Sequence, residues 1–192
     1  MELENLMKEI EDIKEKLNMP PVVGKFHKIS LEQFIKDFKK EDNIPDEKIK
    51  EIYENVLIKP VRSSVDSAGH DFVLTKDINL NVNESAVIST GIRAEIAKGW
   101  VLLLMPRSGL GVKFRVQLNN TVGVIDGDYF HTDNEGHILV TITNDGKENK
   151  PLHLKAGDRF IQGIFVPYGI TEDDKPLGKR KGGRGSSGLK SK

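Results

Sequence analysis

From Leu57 onward the chain is broken into short apolar segments bounded by Gly, Asn and Asp, with no amphipathic helical stretch alternating with them. Val101 to Met105, Val122 to Ile125, Ile138 to Ile142 and Phe160 to Val166 are of this kind. Parallel strands need long crossovers, usually helical, whereas tight turns join only antiparallel strands. The spacing therefore predicts about ten short strands in an antiparallel sandwich, barrel or jelly roll. A parallel sheet built from strand-helix-strand units is excluded.

The first 55 residues read differently. Leu3, Leu6, Ile10, Ile13 and Leu17 recur at alternating spacings of three and four, a narrow apolar stripe on a surface of Glu and Lys. It lasts barely two heptads, short for a coiled coil, which favours a helix docked on the chain's own core. Met19-Pro20-Pro21 ends it. A second helix begins at Ser30, where Ser30 and Gln33 make a capping box and Leu31, Phe34, Ile35 and Phe38 form the apolar face. A third follows Pro45, placed at the first helical position, with Asp46 and Glu47 in the first turn and Ile49, Ile52, Tyr53 and Val56 facing inward. The expected division is a helical extension over 1–55, a β core over 56–168 and a Gly-rich basic arm over 169–192. The arm offers no hydrophobic face and is expected to be mobile in the free protein.

Composition narrows the chemistry. The chain balances 29 basic against 29 acidic side chains, which argues against a dedicated nucleic-acid binder. Seven basic residues and no acidic one lie between Lys175 and Lys192. Without cysteine there is no disulfide, thiolate metal site or cysteine nucleophile, and the five histidines lack zinc-ligand spacing. No run of apolar residues is long enough to span a bilayer and no apolar leader is visible, so a soluble, cytoplasmic protein without membrane contact is expected.

Three segments carry candidate chemistry. Gly183-Arg184-Gly185-Ser186-Ser187-Gly188 fits the dinucleotide fingerprint, but no strand precedes it and no helix follows. Its amides and the nearby Lys179, Arg180, Lys181 and Arg184 can wrap phosphate, or can form a solvated basic tail. Pro106-Arg107-Ser108-Gly109-Leu110-Gly111 directly follows the Trp100 to Met105 strand and reads equally as an oxyanion clamp or an ordinary turn. Asn119 to Tyr129 runs through Val124 and Ile125, which would anchor a strand, into Asp126, Asp128 and Tyr129. A carboxylate there can deprotonate water and a ring can pack on a base or sugar; the alternative is an Asp-capped turn with a core tyrosine.

Taken in order, these segments resemble the five motifs of the homotrimeric dUTPase family. Ser67-Ala68-Gly69-His70-Asp71 resembles the first motif, Pro106 to Gly111 the second, and Gly123-Val124-Ile125-Asp126-Gly127-Asp128-Tyr129 the third. Gly157-Asp158-Arg159-Phe160-Ile161-Gln162 resembles the fourth, and Arg180 to Gly188 the fifth. The likeness spans about Leu57 to Lys192.

The resemblance implies a mainly β, jelly-roll or β-clip domain, assembled as a trimer whose active sites lie between subunits. It also implies hydrolysis of dUTP to dUMP and pyrophosphate with Mg2+ bound to the triphosphate. Carried over, Asp126 activates the attacking water, Tyr129 packs under deoxyribose and excludes a 2′-hydroxyl, and Asn120 with the backbone of Val124 and Ile125 reads uracil. Gly123 and Leu139 join this substrate site. Arg107, Ser108 and Gly109 clamp phosphates, while Gln162 and Asp71 support the phosphates and the hydrated metal, Asp71 indirectly. Arg180, Arg184, Gly185 and Ser186 belong to an arm that closes from a neighbouring subunit.

Three features depart from the family pattern. Arg184 stands where Phe usually stacks on uracil, residues 130–135 lengthen the turn after Tyr129, and common short members lack the helical extension. His70, His131 and His137 lie near the motifs without a role in the implied chemistry. The related dCTP deaminases need a Glu on the strand after the third motif, where this chain has Thr141. A second alternative is a dUTPase-fold interaction protein whose extension and insertion engage a regulatory partner.

Overall fold

The computed structural model describes residues 5–10, 13, 19–146, 149–176, 178 and 182. Its strands are β1 (Gly24–Lys28), β2 (Val61–Arg62), β3 (His70–Val73), β4 (Ile78–Leu80), β5 (Ser85–Ser89), β6 (Ile92–Ile96), β7 (Trp100–Pro106), β8 (Val116–Leu118), β9 (Gly123–Ile125), β10 (Leu139–Asn144), β11 (Leu152–Leu154) and β12 (Arg159–Pro167). Helices α1 (Leu31–Phe38), α2 (Asp46–Asn55) and α3 (Ser108–Phe114) and a 3-10 turn, Gly127–His131, complete the order. A five-stranded sheet runs β2-β3-β12-β7-β9 and a three-stranded one β5-β10-β8; β1 pairs with β6 and β11 with β4. Every one of these pairings is antiparallel, as the short connections require.

Alternation along the strands sets the core. Leu102 and Leu104 of β7 face inward, and Val140, Ile142 and Asn144 do so on β10, at the two-residue period of a pleated strand. Phe72, Phe160 and Ile161 join them from the neighbouring strands β3 and β12. Gly163 lets β12 lie close between its neighbours, since an added Cβ would meet Leu102 Cδ1 at 2.9 Å and Phe72 Cε2 at 3.1 Å.

The N-terminal segment departs from a purely helical extension. Gly24–Lys28 forms a strand on β6, and Phe34, Phe38 and Ile49 from the two following helices are buried in the same cluster as the sheet residues. Pro45 stands at the N-cap of α2 rather than inside it. Ser30 caps α1 as expected, its hydroxyl accepting from the N–H of Gln33 at 3.1 Å. The Gln33 side chain does not return the bond; its amide donates to Asp37 Oδ2 at 2.7 Å instead. The apolar stripe near the start is helical over residues 5–10, and its described members Leu6, Ile10 and Ile13 are 53%, 44% and 55% exposed, so these three do not dock on the chain's own core; Leu3 and Leu17 lie outside the described residues.

Candidate active site

The turn after β8 and strand β9 build the first part of the site. Asn120, Gly123, Val124 and Ile125 meet Tyr129 of the 3-10 turn and Leu139 of β10 around one cavity of about 240 Å3, with Leu104, Leu118, Ile138, Val140 and Thr141 completing the lining. Six residues nominated from sequence therefore share one pocket. Its walls are mostly aliphatic, and Asn120, Thr141 and Tyr129 bring the polar groups. Among the described residues β9 ends its sheet and pairs only with β7, so one side of its backbone has no strand partner there and can meet a planar, hydrogen-bonding ligand edge.

Val124 is 55% exposed and so does not anchor the strand as its apolar character suggested; the inward position of β9 belongs to Gly123. Asp126 opens the 3-10 turn, its carbonyl accepting from the Tyr129 N–H at 3.1 Å, and lies on the surface directly after the pocket-lining Ile125. Tyr129 is buried, and its hydroxyl donates to the carbonyl of His137 at 2.7 Å. The ring is thus both a core residue and a wall of the pocket.

A second cluster forms where β3, β12 and β7 run side by side. Gln162 is opposite Asp71 and its neighbour Ile161 is opposite Pro106, which brings the first, second and fourth sequence motifs together. Asp71 is buried and spans two guanidiniums, with Oδ1 at 3.0 Å from Arg107 Nε and Oδ2 at 3.0 Å from Arg159 Nη1. Gln162 Oε1 lies over Gly69, where a Cβ would come within 2.5 Å. Ser108 and Gly109 do not form a plain turn but open the exposed helix α3, with Arg107 at its N-cap. Arg180, Arg184, Gly185 and Ser186 lie outside the described residues.

Arg159, within the fourth motif but not among the candidate site residues, is brought to the cluster by its ion pair with Asp71. Asp37 and His137 carried no sequence signal; they meet across a hundred positions, with His137 Nδ1 at 2.8 Å from Asp37 Oδ2. Among the described residues no group of three or more His, Asp and Glu is placed to hold a metal ion, and no helix is long and apolar enough to cross a membrane.

A slot with an open strand edge, on the same sheet as a pair of carboxylate-held arginines, is the geometry of a small-molecule site on an antiparallel β protein. Comparison with known proteins gives the family. The dUTPase family model matches residues 57–191. The deoxyuridine 5′-triphosphate nucleotidohydrolase of Lactococcus lactis is 36% identical over 140 residues, 71% of this chain and 92% of its own length. The crystal structure of the Streptococcus mutans dUTPase superposes with a TM-score of 0.56 at 29% identity, covering 77% of this chain and 98% of its own. The dUTPase of Staphylococcus aureus phage phi11 shares the fold, with a TM-score of 0.52 at 23% identity over 65% of this chain and 92% of its own. The chain belongs to the dUTPase family, and its reaction is the hydrolysis of dUTP.

Proposed function

We infer that Asp126 activates the water that attacks dUTP, that the pocket beside it takes the deoxyuridine, and that magnesium enters on the triphosphate. The observation that carries this reading is the single cavity shared by Asn120, Gly123, Val124, Ile125, Tyr129 and Leu139. Uracil then lies against the open edge of β9, where Asn120 and the backbone of Val124 and Ile125 meet its polar rim. Tyr129 underlies the sugar, and a ribose hydroxyl would collide with its ring. Asp126, at the mouth of the same strand, is placed to take a proton from water as the bond to phosphorus forms.

Arg107, Ser108 and Gly109 clamp the phosphates in this reading, with Gln162 beside them. Asp71 contributes indirectly: both its oxygens are engaged by arginines, so it orients cations rather than ligating one. The described residues fit a cation carried by the substrate's own phosphates, since no protein ligand cluster competes for it. Such a cation supplies neutralisation of the triphosphate charge. The family match reaches residue 191, which supports including Arg180, Arg184, Gly185 and Ser186 as an arm that covers bound nucleotide. A homotrimer is the proposed active unit, and the exposed Val61, Val65 and Val112 supply apolar surface for contacts between copies.

The test is a panel of dUTP, dTTP, dCTP and UTP with pyrophosphate detection, with and without magnesium, beside light scattering. Turnover of dUTP alone, only with magnesium, by a species of three times 21.5 kDa is expected. Equal turnover of UTP would remove Tyr129 from the sugar subsite, full activity in a chelator would remove magnesium, and an active monomer would remove the shared site.

A further inference from the structure

His137 is fully buried, and both its ring nitrogens are used. The N–H of Gly91 donates to Nε2 at 2.9 Å. A backbone amide can only donate, so Nε2 is the acceptor, and Nδ1 carries the proton that it shares with Asp37 Oδ2 at 2.8 Å. Asp37 is equally buried and also accepts from Gln33 Nε2 and Lys40 Nζ, each at 2.7 Å. The imidazole therefore ties α1 to the turn between β5 and β6, and no substrate atom can reach it.

The purpose of that tie lies one peptide group away. The main-chain carbonyl of His137 accepts the hydroxyl of Tyr129 at 2.7 Å, and Asn134 Nδ2 lies 3.1 Å from the same hydroxyl. The Tyr129 ring is thus held at its far end by the backbone of residue 137, whose position the Asp37 and Gly91 bonds to the imidazole set together with the main-chain bonds from His137 N–H to Asn134 and from Ile138 N–H to Ile92. A second link runs parallel: Glu135 receives the N–H and hydroxyl of Ser30 at 2.9 and 2.6 Å. On its other side the lengthened turn packs the Phe130 ring under the guanidinium of Arg93, 4.3 Å from its centre. The N-terminal segment and the lengthened turn form one brace, and Tyr129 is the pocket residue it ends on.

We propose that Asp37 and His137 are positioning residues for Tyr129, and that the N-terminal segment thereby sets how strongly the enzyme prefers deoxyribose over ribose. The inference rests on the reading of Tyr129 as the ring beneath the sugar. Exclusion of one hydroxyl depends on displacements well below an ångström, and supporting contacts that lock a side chain are what hold such tolerances. Loss of the Asp37 bond leaves the 137 carbonyl to its main-chain bonds and Asn134, the acceptor of the Tyr129 hydroxyl is less rigidly placed, and the ring can recede from the space a 2′-hydroxyl would fill.

The experiment measures kcat and KM for dUTP and UTP in the full chain, with thermal melting to confirm folding, for Asp37→Ala, Asp37→Asn, Tyr129→Phe, Tyr129→Ala and the double variant Asp37→Ala with Tyr129→Phe. Asp37→Ala and Tyr129→Phe should each lower the dUTP over UTP preference by about tenfold, mainly through KM. Asp37→Asn keeps an acceptor for Nδ1–H and should restore most of it. The double variant should be no worse than either single one, because both cut the same chain of bonds. A folded Asp37→Ala protein with unchanged preference, or effects that multiply in the double variant, overturns the inference. Unchanged preference in Tyr129→Ala overturns the sugar-subsite reading instead. Should Asp37→Ala not fold, His137→Gln is judged by the same criteria.

Discussion

Glu135 completes the cap of a helix that starts more than a hundred positions earlier: one carboxylate oxygen accepts the N–H of Ser30 at 2.9 Å and the other its hydroxyl at 2.6 Å. In a capping box the Gln33 amide would serve that N–H, but it is drawn to Asp37. Glu135 adopts a left-handed backbone, φ 58°, to make the reach. Burial opposes its ionisation, and the hydrogen bonds from Ser30 outweigh this and hold its carboxyl below the ordinary range.

Ser30→Ala removes the cap to Gln33 and one of the two bonds to Glu135. Loss of such a cap typically costs about 0.5–2 kcal/mol. Urea unfolding should show a lower midpoint at an unchanged slope, and an unaltered midpoint would mean that water serves these groups equally well.

Asp126→Asn keeps size while losing the base. Turnover should fall by about 100-fold or more with nucleotide binding retained. Residual turnover above about a tenth of the original would assign water activation to another group.

Acid should expose the role of Asp37. Burial opposes its ionisation, but hydrogen bonds from His137, Lys40 and Gln33 prevail and hold its carboxyl well below the usual range. A pKa lower in the folded than in the unfolded chain gives stability that is complete above about pH 4 and is lost as pH falls towards the folded value. Asp37→Asn cannot titrate, so its urea midpoint should drop less between about pH 5 and pH 3 than that of the parent. Parallel losses in the two proteins would place the acid response elsewhere.

Gly91→Ala tests the turn at the centre of the brace. Its φ is +69°, and an added Cβ would lie 1.8 Å from Cδ1 of the buried Leu57. Strain and overpacking together should cost about 1–3 kcal/mol or more, read as a lower melting temperature. A melt within error of the parent would show that Leu57 can move aside.

Truncation before Lys179 should abolish most dUTP turnover, since the arm would no longer keep water from the triphosphate. Arg184→Phe should retain or raise activity, because a guanidinium stacks on a base less strongly than an aromatic ring, about 0.5–1 against about 1–3 kcal/mol. Full activity in the truncated chain would leave the arm without a part in catalysis.

Much of the pocket was legible because it comes from one short stretch. Asn120 to Tyr129 is a turn, a strand and a tight helical turn in succession, and its order of Gly, aliphatic, Asp and Tyr residues identifies it locally. Leu139 is brought in by the β strand that follows. α1 was equally legible, since capping by Ser30 and the face of Phe34 and Phe38 act within two turns. β1 was not: Gly24-Lys25-Phe26-His27-Lys28 buries only Phe26, and β6 alone makes it a strand. Nor was α3, whose two glycines favour a turn in isolation.

The sequence by itself determined the antiparallel β class, the family and six of the residues that line the pocket, because side-chain alternation, turn chemistry and short motifs are properties of neighbouring residues. Only the tertiary structure decided that Asp71 is shared by Arg107 and Arg159, that Glu135 caps Ser30, and that Asp37, His137 and Tyr129 form one line of bonds. Those contacts join residues up to 105 positions apart. No local preference encodes them, since they arise when strand order closes the sheets and buried polar groups must find whichever partners that closure brings within reach.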